Sequence, residues 1–473
     1  NWVEERPDAN IIGSYARSLN NAVKGLQYLI SAVSGSPSRV EVVLDDATAL
    51  GKLGDEKFDL IVTDPPYRDD VPYAELSDFY YVWLKRILRE YHPEAFKYTT
   101  QWGELSLQEV SYNEGRLRYF LRESGPDYYT KLLSKAFQAM KQHLKSNGLL
   151  IVYFAHTSPE AWIELVEAGW KHAGLTLTKA WSVYTESEER VTARGKTALE
   201  TSVVTVWRPR DGTATTMVNA VEDARRAVKQ ALSRSELAGI DLFFEAYTAA
   251  LSTMTNYNTI ELVLGLYAKA EDIVAKAMEV AAEEIVGEHS GKLGPVSLAY
   301  ALFKKLHPGE TPTLMSSREV ITLGYGIARR ANVKLSRLLL HERLVEPMKT
   351  TSGPRVAKQK VFRLLSPTHP TPEAVKEVAG KRRLDLVKLG VIRRRKVERF
   401  TNPVDILHVL EYKATQTLED FARAYRRIEE EYPDLLEEAR YLAHTIAQIP
   451  GDPEAELAAL TLKMIENVQR LRE

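Results

Sequence analysis

The run Phe58–Thr63 (FDLIVT) leads without a break into Asp64-Pro65-Pro66-Tyr67, and this junction constrains the fold more than any other part of the 473 residues. A short, β-branched, nearly continuous apolar run suits a strand covered on both faces, as in a parallel sheet, better than a half-exposed hairpin strand. Two consecutive prolines cannot continue such a strand, because each fixes φ at about −65° and lacks an N–H. The chain must therefore turn at the carboxyl end of a buried strand, the place where open α/β sheets gather their ligand-binding groups.

The flanking segments alternate in the same way. From Ile11 to Val33 apolar residues recur at helical spacing, through Ile12, Tyr15, Leu19, Val23, Leu26, Leu29 and Ile30, until Gly35, Ser36 and Pro37 stop the pattern. Arg39–Leu44 (RVEVVL) reads as another buried strand, closed by the polar turn Asp45-Asp46-Ala47-Thr48. Helical period returns over Tyr73–Glu90 and over Tyr128–Leu144, the latter stopped at Ser146-Asn147-Gly148, where a left-handed cap is easy. Leu149–Ala155 is the most strand-like run; Trp162–Ala173 reads as helix, Leu175–Tyr184 and Ser202–Trp207 as strands, and the charged Thr185–Thr201 as a mobile loop. Beyond Arg210-Asp211-Gly212 the chain turns Ala- and Leu-rich and helical, apart from a strand at Val361–Leu365. The expected fold class is α/β: a Rossmann-like part over 1–212, a helical domain over 213–350 and a helical, winged-helix-like region over 351–473.

Composition narrows the function. With 63 Lys+Arg against 64 Asp+Glu the chain is no polycation, so nucleic-acid binding would need a local basic surface. The absence of cysteine removes disulfides, thiol nucleophiles and Cys-ligated zinc. Ten histidines include no His-x-x-x-His pair. No apolar run of about 18 residues and no secretion signal appear, so a cytoplasmic protein without membrane contact is expected.

Asp64–Tyr67 suits one chemistry in particular. The exocyclic amine of adenine or cytosine is a poor nucleophile because its lone pair is delocalised into the ring. Two acceptors, the Asp64 carboxylate and the Pro65 carbonyl, can take hydrogen bonds from both amino protons and let the nitrogen become pyramidal toward a methyl donor. The prolines hold these acceptors in place, and Tyr67 offers a flat face on which an extruded base can stack. The competing reading is an ordinary Pro-rich turn with a capping Asp.

These residues match the DPPY form of motif IV of amino-methyltransferases, and the longer block DPPYRDDVPYAELSDFYYVWLKR (Asp64–Arg86) resembles DNA methylases that carry a DUF1156 domain. LDDATAL (Leu44–Leu50) is similar to the motif III strand end, GLLIVYFAH (Gly148–His156) to motif VI, and ALETSVVTVWRPR (Ala198–Arg210) to the final hairpin strand. The resemblance implies direct transfer of a methyl group from S-adenosylmethionine (AdoMet) to adenine N6 of a flipped nucleotide in DNA. It assigns Asp64, Pro65, Pro66 and Tyr67 to the target base, with Asp64 also beside the cofactor. Asp46 falls at the motif III position near the adenine of AdoMet, although a plain strand-end turn would use the same residue. Arg68, Asp69, Asp70 and Tyr73 follow motif IV at the pocket rim, and Arg190, Arg194 and Lys196 on the charged loop are candidate phosphate contacts.

The family's sheet has strand order 3-2-1-4-5-7-6, with a glycine-rich turn after strand 1 and an acidic residue after strand 2. Neither precedes motif IV here. Gly324-Tyr325-Gly326 is the only Gly-x-Gly and lies in a helical pattern. The family's cysteine-rich zinc ribbon is also missing, so no metal is expected. The expected Rossmann-like domain is therefore incomplete, lacking its first strands. A complementary N-terminal part, on the same polypeptide or another, is expected to bring the glycine-rich AdoMet motif, in keeping with a numbering that begins at Asn1 rather than Met. The alternatives are an RNA amino-methyltransferase, since motif IV does not read the 2′-hydroxyl, and a non-catalytic nucleic-acid-binding subunit of a defence or modification system. For the latter, Lys381–Arg383, Arg393–Lys396 and Arg399 would form a basic winged-helix-like surface.

Overall fold

A computed structural model describes residues 15–35, 39–66, 68, 73–98, 108–115, 117, 125–154, 159–184, 201–348, 361–382, 384 and 400–471. The chain divides into two compact units, Asn1–Asp45 and Asp46–Glu473. In the first, the helical spacing of the sequence produces α1 (Tyr15–Val33). The strand expected at Arg39–Leu44 does not form: the segment pairs with no strand among the described residues, and Val40, Val42 and Leu44 are exposed. β-Branched residues favour an extended backbone, but a strand exists only when a neighbour takes its N–H and C=O groups.

The second unit opens with β1 (Phe58–Thr63), bounded as the sequence predicts, followed by α2 (Tyr73–Leu88), α3 (Gly125–Gln142), β2 (Leu144–Phe154), α4 (Pro159–Val166, continued by a π-helical turn Glu167–His172), β3 (Leu175–Tyr184) and β4 (Thr201–Pro209). The four strands form one mixed sheet in the order β1-β2-β4-β3. β1 runs parallel to β2, and β4 runs antiparallel to both β2 and β3. The helix stop expected at Ser146–Gly148 lies instead inside β2. Between the pairs Phe58↔Leu144 and Leu60↔Leu149 one residue of β1 faces Lys145–Gly148, a bulge pinned by the ion pair of Lys145 with Asp59 at 2.8 Å.

The region after 212 is helical, as expected, with α5 (Met217–Leu232), α6 (Gly239–Thr255), α7 (Ala270–Val286), α8 (Pro295–Leu306), α9 (Ser317–Arg330), α10 (Pro372–Lys381), α11 (Pro403–Ala414), α12 (Leu418–Glu431), α13 (Pro433–Ala447) and α14 (Pro453–Arg470). It also holds strands of two to five residues that the periodicity did not reveal: β5 (Ala214–Thr216), β6 (Thr259–Val263) and β7 (Leu266–Tyr267) in one sheet, β8 (Leu314–Ser316), β9 (Val345–Met348) and the expected β10 (Val361–Leu364) in another. Such short strands carry too few alternations to register against helical neighbours.

One large apolar core crosses the expected boundaries, and a second cluster lies among the C-terminal helices. Trp162 on α4, fully buried, packs edge-on to Phe154 of β2 at 6.0 Å and to Tyr247 of α6 at 5.1 Å, so the sheet and the helical region share side chains. Buried Trp207 of β4 donates its indole N–H to Thr205 Oγ1 (2.9 Å), which in turn donates to the Val152 carbonyl (3.0 Å) across the sheet. Gly326, rejected as a cofactor loop, sits inside α9, where an added Cβ would lie 2.7 Å from the Glu279 nitrogen and 2.8 Å from the Ala275 carbonyl of α7. Backbone cannot yield as a side chain can, so Gly326→Ala is expected to cost about 1–3 kcal/mol by forcing α7 and α9 apart. Urea unfolding of the variant measures this; an unchanged midpoint would refute the close approach.

Candidate active site

The motif IV turn leaves β1 immediately after the last paired residue, Thr63↔Val152, so Asp64 stands at the carboxyl end of the strand. Asp64 is exposed, and Pro65 and Pro66 are half-buried. Tyr67, Asp69, Asp70, Arg190, Arg194 and Lys196 lie outside the described residues.

Three tethers hold the turn from beneath. The Tyr129 hydroxyl of α3, fully buried, donates to the Pro66 carbonyl at 2.9 Å. The Tyr112 N–H donates to the Arg68 carbonyl at 3.1 Å. Arg68 Nε lies 3.0 Å from Glu164 Oε2 of α4, a close contact of opposite charges without the alignment of a hydrogen bond. Burial, reinforced by the Glu164 charge, pushes the Tyr129 phenol well above its ordinary value, so it stays a neutral donor. Arg68 itself adopts φ +52°, in the left-handed region that side chains other than Gly, Asn and Asp seldom enter. The chain is thus bent sharply just past Tyr67 and held there from three sides, which is how a scaffold keeps an acceptor array rigid.

Arg68, expected at the nucleic-acid rim, is directed inward: its side chain is 16% exposed. Its visible role is to anchor the turn. Tyr73 begins α2 and is 41% exposed, with Ala74 N–H donating to Glu109 Oε2 at 3.3 Å. Asp46 forms a local turn, its Oδ1 accepting from both the N–H and the hydroxyl of Thr48 at 2.8 Å. That is the strand-end turn reading of this residue, minus the strand.

The tethers were not legible beforehand. Tyr129 and Glu164 fall on helical apolar faces in the sequence, and only the spacing of Gly125-Pro126-Asp127-Tyr128-Tyr129 at a helix start hints at a special position. Glu164→Gln leaves the inward guanidinium without its countercharge and is expected to cost about 3 kcal/mol, by the logic of a broken buried pair. Thermal unfolding checks it, and a shift of less than about one degree would show that Arg68 and Glu164 are not coupled.

On the basic segment near residue 381, Arg382 belongs to the core. It bonds Asp405 Oδ1 through Nε (2.7 Å), Asn402 Oδ1 through Nη2 (3.1 Å) and the Arg343 carbonyl through Nη1 (2.6 Å). Lys381 pairs with Glu346 at 2.8 Å and with Glu377 at 3.3 Å. Neither is displayed as a phosphate contact, contrary to the basic-surface reading; Arg383, Arg393–Lys396 and Arg399 lie outside the described residues. A separate cavity of about 950 Å³, lined by Lys179, Trp181, Arg234 and Glu245 among others, includes none of the expected site residues. Among the described residues no helix is long and apolar enough to cross a membrane. Compared with protein-family models, curated proteins and solved structures, the chain matches none of them.

Proposed function

We propose that this chain is the target-base part of an AdoMet-dependent DNA amino-methyltransferase acting on adenine N6. The observation that carries the reading is the strand order β1-β2-β4-β3 with β4 antiparallel. It corresponds to the 4-5-7-6 half of the sheet that the motif IV resemblance implies, with the Asp64-Pro65-Pro66 turn following the strand that would be number 4. In this role the Asp64 carboxylate and the Pro65 carbonyl accept hydrogen bonds from the two amino protons. Tyr129 and Arg68 act one step back, as positioning residues that keep the turn from relaxing when the base enters. The methyl group would come from AdoMet, held by the complementary part rather than by the residues described.

The same reading accounts for an otherwise costly surface. β1 pairs only with β2 among the described residues, and its Leu60 and Val62, two apart and so on one face, are 51% and 56% exposed. α2 leaves Leu76, Phe79, Tyr80, Trp83 and Ile87 exposed as well. An open strand edge beside uncovered apolar side chains is what a sheet looks like when its continuation lies elsewhere. The proposed partner is therefore a segment that adds a parallel strand to β1 and carries the glycine-rich turn. Leu60→Glu with Val62→Glu is expected to weaken that association at least about tenfold while leaving this chain folded.

The decisive experiment is calorimetric titration of AdoMet into this chain alone and into its mixture with the complementary part, followed by detection of N6-methyladenine in DNA. Binding and transfer only in the mixture would support the split pocket. Micromolar binding by the chain alone would overturn the placement of the cofactor half. Binding without transfer to DNA, but with transfer to RNA, would redirect the substrate; no binding in either case would favour a nucleic-acid-binding subunit without catalysis.

A further inference from the structure

Far along the chain from the motif IV turn, five ionisable side chains and a tyrosine meet inside the C-terminal helices. His408 and Glu411 lie three apart on α11 and so share one face. Glu454 comes from the first turn of α14 and Asp452 is the N-cap of that helix, accepting from the Glu454 N–H at 2.9 Å. Tyr300 and Lys304 come from α8, four apart. All six are buried, and His408, Glu411 and Glu454 are fully so.

The partners do not balance. Lys304 Nζ reaches Asp452 Oδ1 at 2.6 Å and Glu454 Oε2 at 3.2 Å. The Tyr300 hydroxyl donates to Glu454 Oε2 at 2.6 Å and stands 3.1 Å from His408 Nε2. Glu454 Oε1 stands 3.4 Å from His408 Nε2, but both oxygens of Glu411, His408 Nδ1 and Asp452 Oδ2 have no hydrogen-bond partner among the described residues. A buried carboxyl group with neither oxygen bonded is rare, because its desolvation is uncompensated. Burial pushes Glu411 well above the usual carboxylate range, with the Glu454 charge adding to it, and burial lowers His408, so the imidazole is neutral. Burial likewise acts to raise Glu454, but Lys304, His408 and Tyr300 overcome it and hold that carboxylate ionised.

One ligand atom from each of His408, Glu411 and Glu454 lies within 4.8 Å of the other two. Ligands of a tetrahedral zinc ion at bonds of about 2.0–2.1 Å stand about 3.4 Å apart, so a contraction within reach of side-chain rotation closes the set on a metal. Charge completes the argument. With all three ionised, as metal ligation of Glu411 would require, Glu411, Asp452 and Glu454 set three negative charges against the one ammonium of Lys304, an excess that a divalent cation would neutralise. Neutral imidazole with carboxylate oxygens is a donor set for zinc and similar divalent transition metals rather than for calcium.

We propose that His408, Glu411 and Glu454 form a buried divalent transition-metal site, of the zinc class, that ties α11 to the start of α14. The three ligands are closed from solvent, so the ion would load as the helices assemble, and an enclosed water would complete a four-coordinate site. The absence of cysteine and of His-x-x-x-His pairs argued against metal in the sequence; the usable signal was His408-x-x-Glu411, which means little until Glu454 is folded against it. The site does not depend on the methyl-transfer reading.

The test uses the full chain, stripped with a chelator and titrated with Co²⁺ as a spectroscopic probe and then with Zn²⁺. One equivalent of Co²⁺ should produce the visible absorption bands of a low-coordinate site, Zn²⁺ should displace them, and Zn²⁺ should raise the melting temperature. Glu411→Gln and His408→Gln should each weaken metal affinity by at least about 100-fold. The proposal is overturned if the native chain shows neither bands nor a thermal shift. It is also overturned if Glu411→Gln melts at or above the native temperature with zinc present, as expected of a carboxyl group that is simply kept protonated. Should a variant fail to fold, the Co²⁺ titration of the native chain decides alone.

Discussion

Asp64→Asn is expected, on the proposed amino-methyltransferase function, to lower methyl transfer in the presence of the complementary part by about 10³-fold, the scale set by removing one preorganised electrostatic group from a transition state, with AdoMet affinity nearly unchanged. The amide keeps the shape of the side chain but offers one acceptor oxygen without charge where the amine develops positive character. Asp64 is exposed at the end of β1, and the three tethers described above run through Pro66 and Arg68. Single-turnover kinetics with a DNA substrate, alongside calorimetric AdoMet binding, separates the two effects. Equal loss of transfer and of cofactor binding would contradict the role assigned to Asp64. Tyr129→Phe should give a smaller, graded loss, since it removes one tether of about 1 kcal/mol and none of the acceptors.

Lys304→Met should destabilise the protein by about 3–5 kcal/mol at neutral pH, because it strips the ammonium from a cluster of buried carboxylates. Burial opposes the charged form of Lys304, yet Glu454 and Asp452 raise its proton affinity above the ordinary value. The sign with pH follows. Glu454 is lowered from 4.5 to about 2, so the stability it confers is present above pH 4.5 and is lost as pH falls toward 2. The raised Lys304 contributes at every pH below its ordinary 10.5. The deficit of the variant should therefore be full near neutrality and shrink between pH 4.5 and about 2, as Glu454 takes up its proton. Guanidinium titrations at several pH values measure it, and a deficit independent of pH would show that the cluster is not what holds the helices. Added zinc should recover part of the loss if the metal site forms.

Local sequence determined those features whose physics is local. FDLIVT became β1 with its expected bounds because two prolines end it, and Leu175–Tyr184 and Ser202–Trp207 became strands because β-branched and aromatic residues favour extended backbone. The motif IV turn likewise sits at the end of its strand, since Pro65 and Pro66 leave the backbone few choices. Tertiary structure decided the rest. Arg39–Leu44 has strand residues yet no strand, because strand pairing needs a second backbone. Arg68 and Arg382 read as surface cations and lie inward, because carboxylates at positions 164 and 405 wait for them. His408, Glu411 and Glu454 share one interior only because α11 and α14 pack together. In each case the deciding partner is remote in sequence, and the cost of burying a charge is defined only once the burial and the partner are both in place.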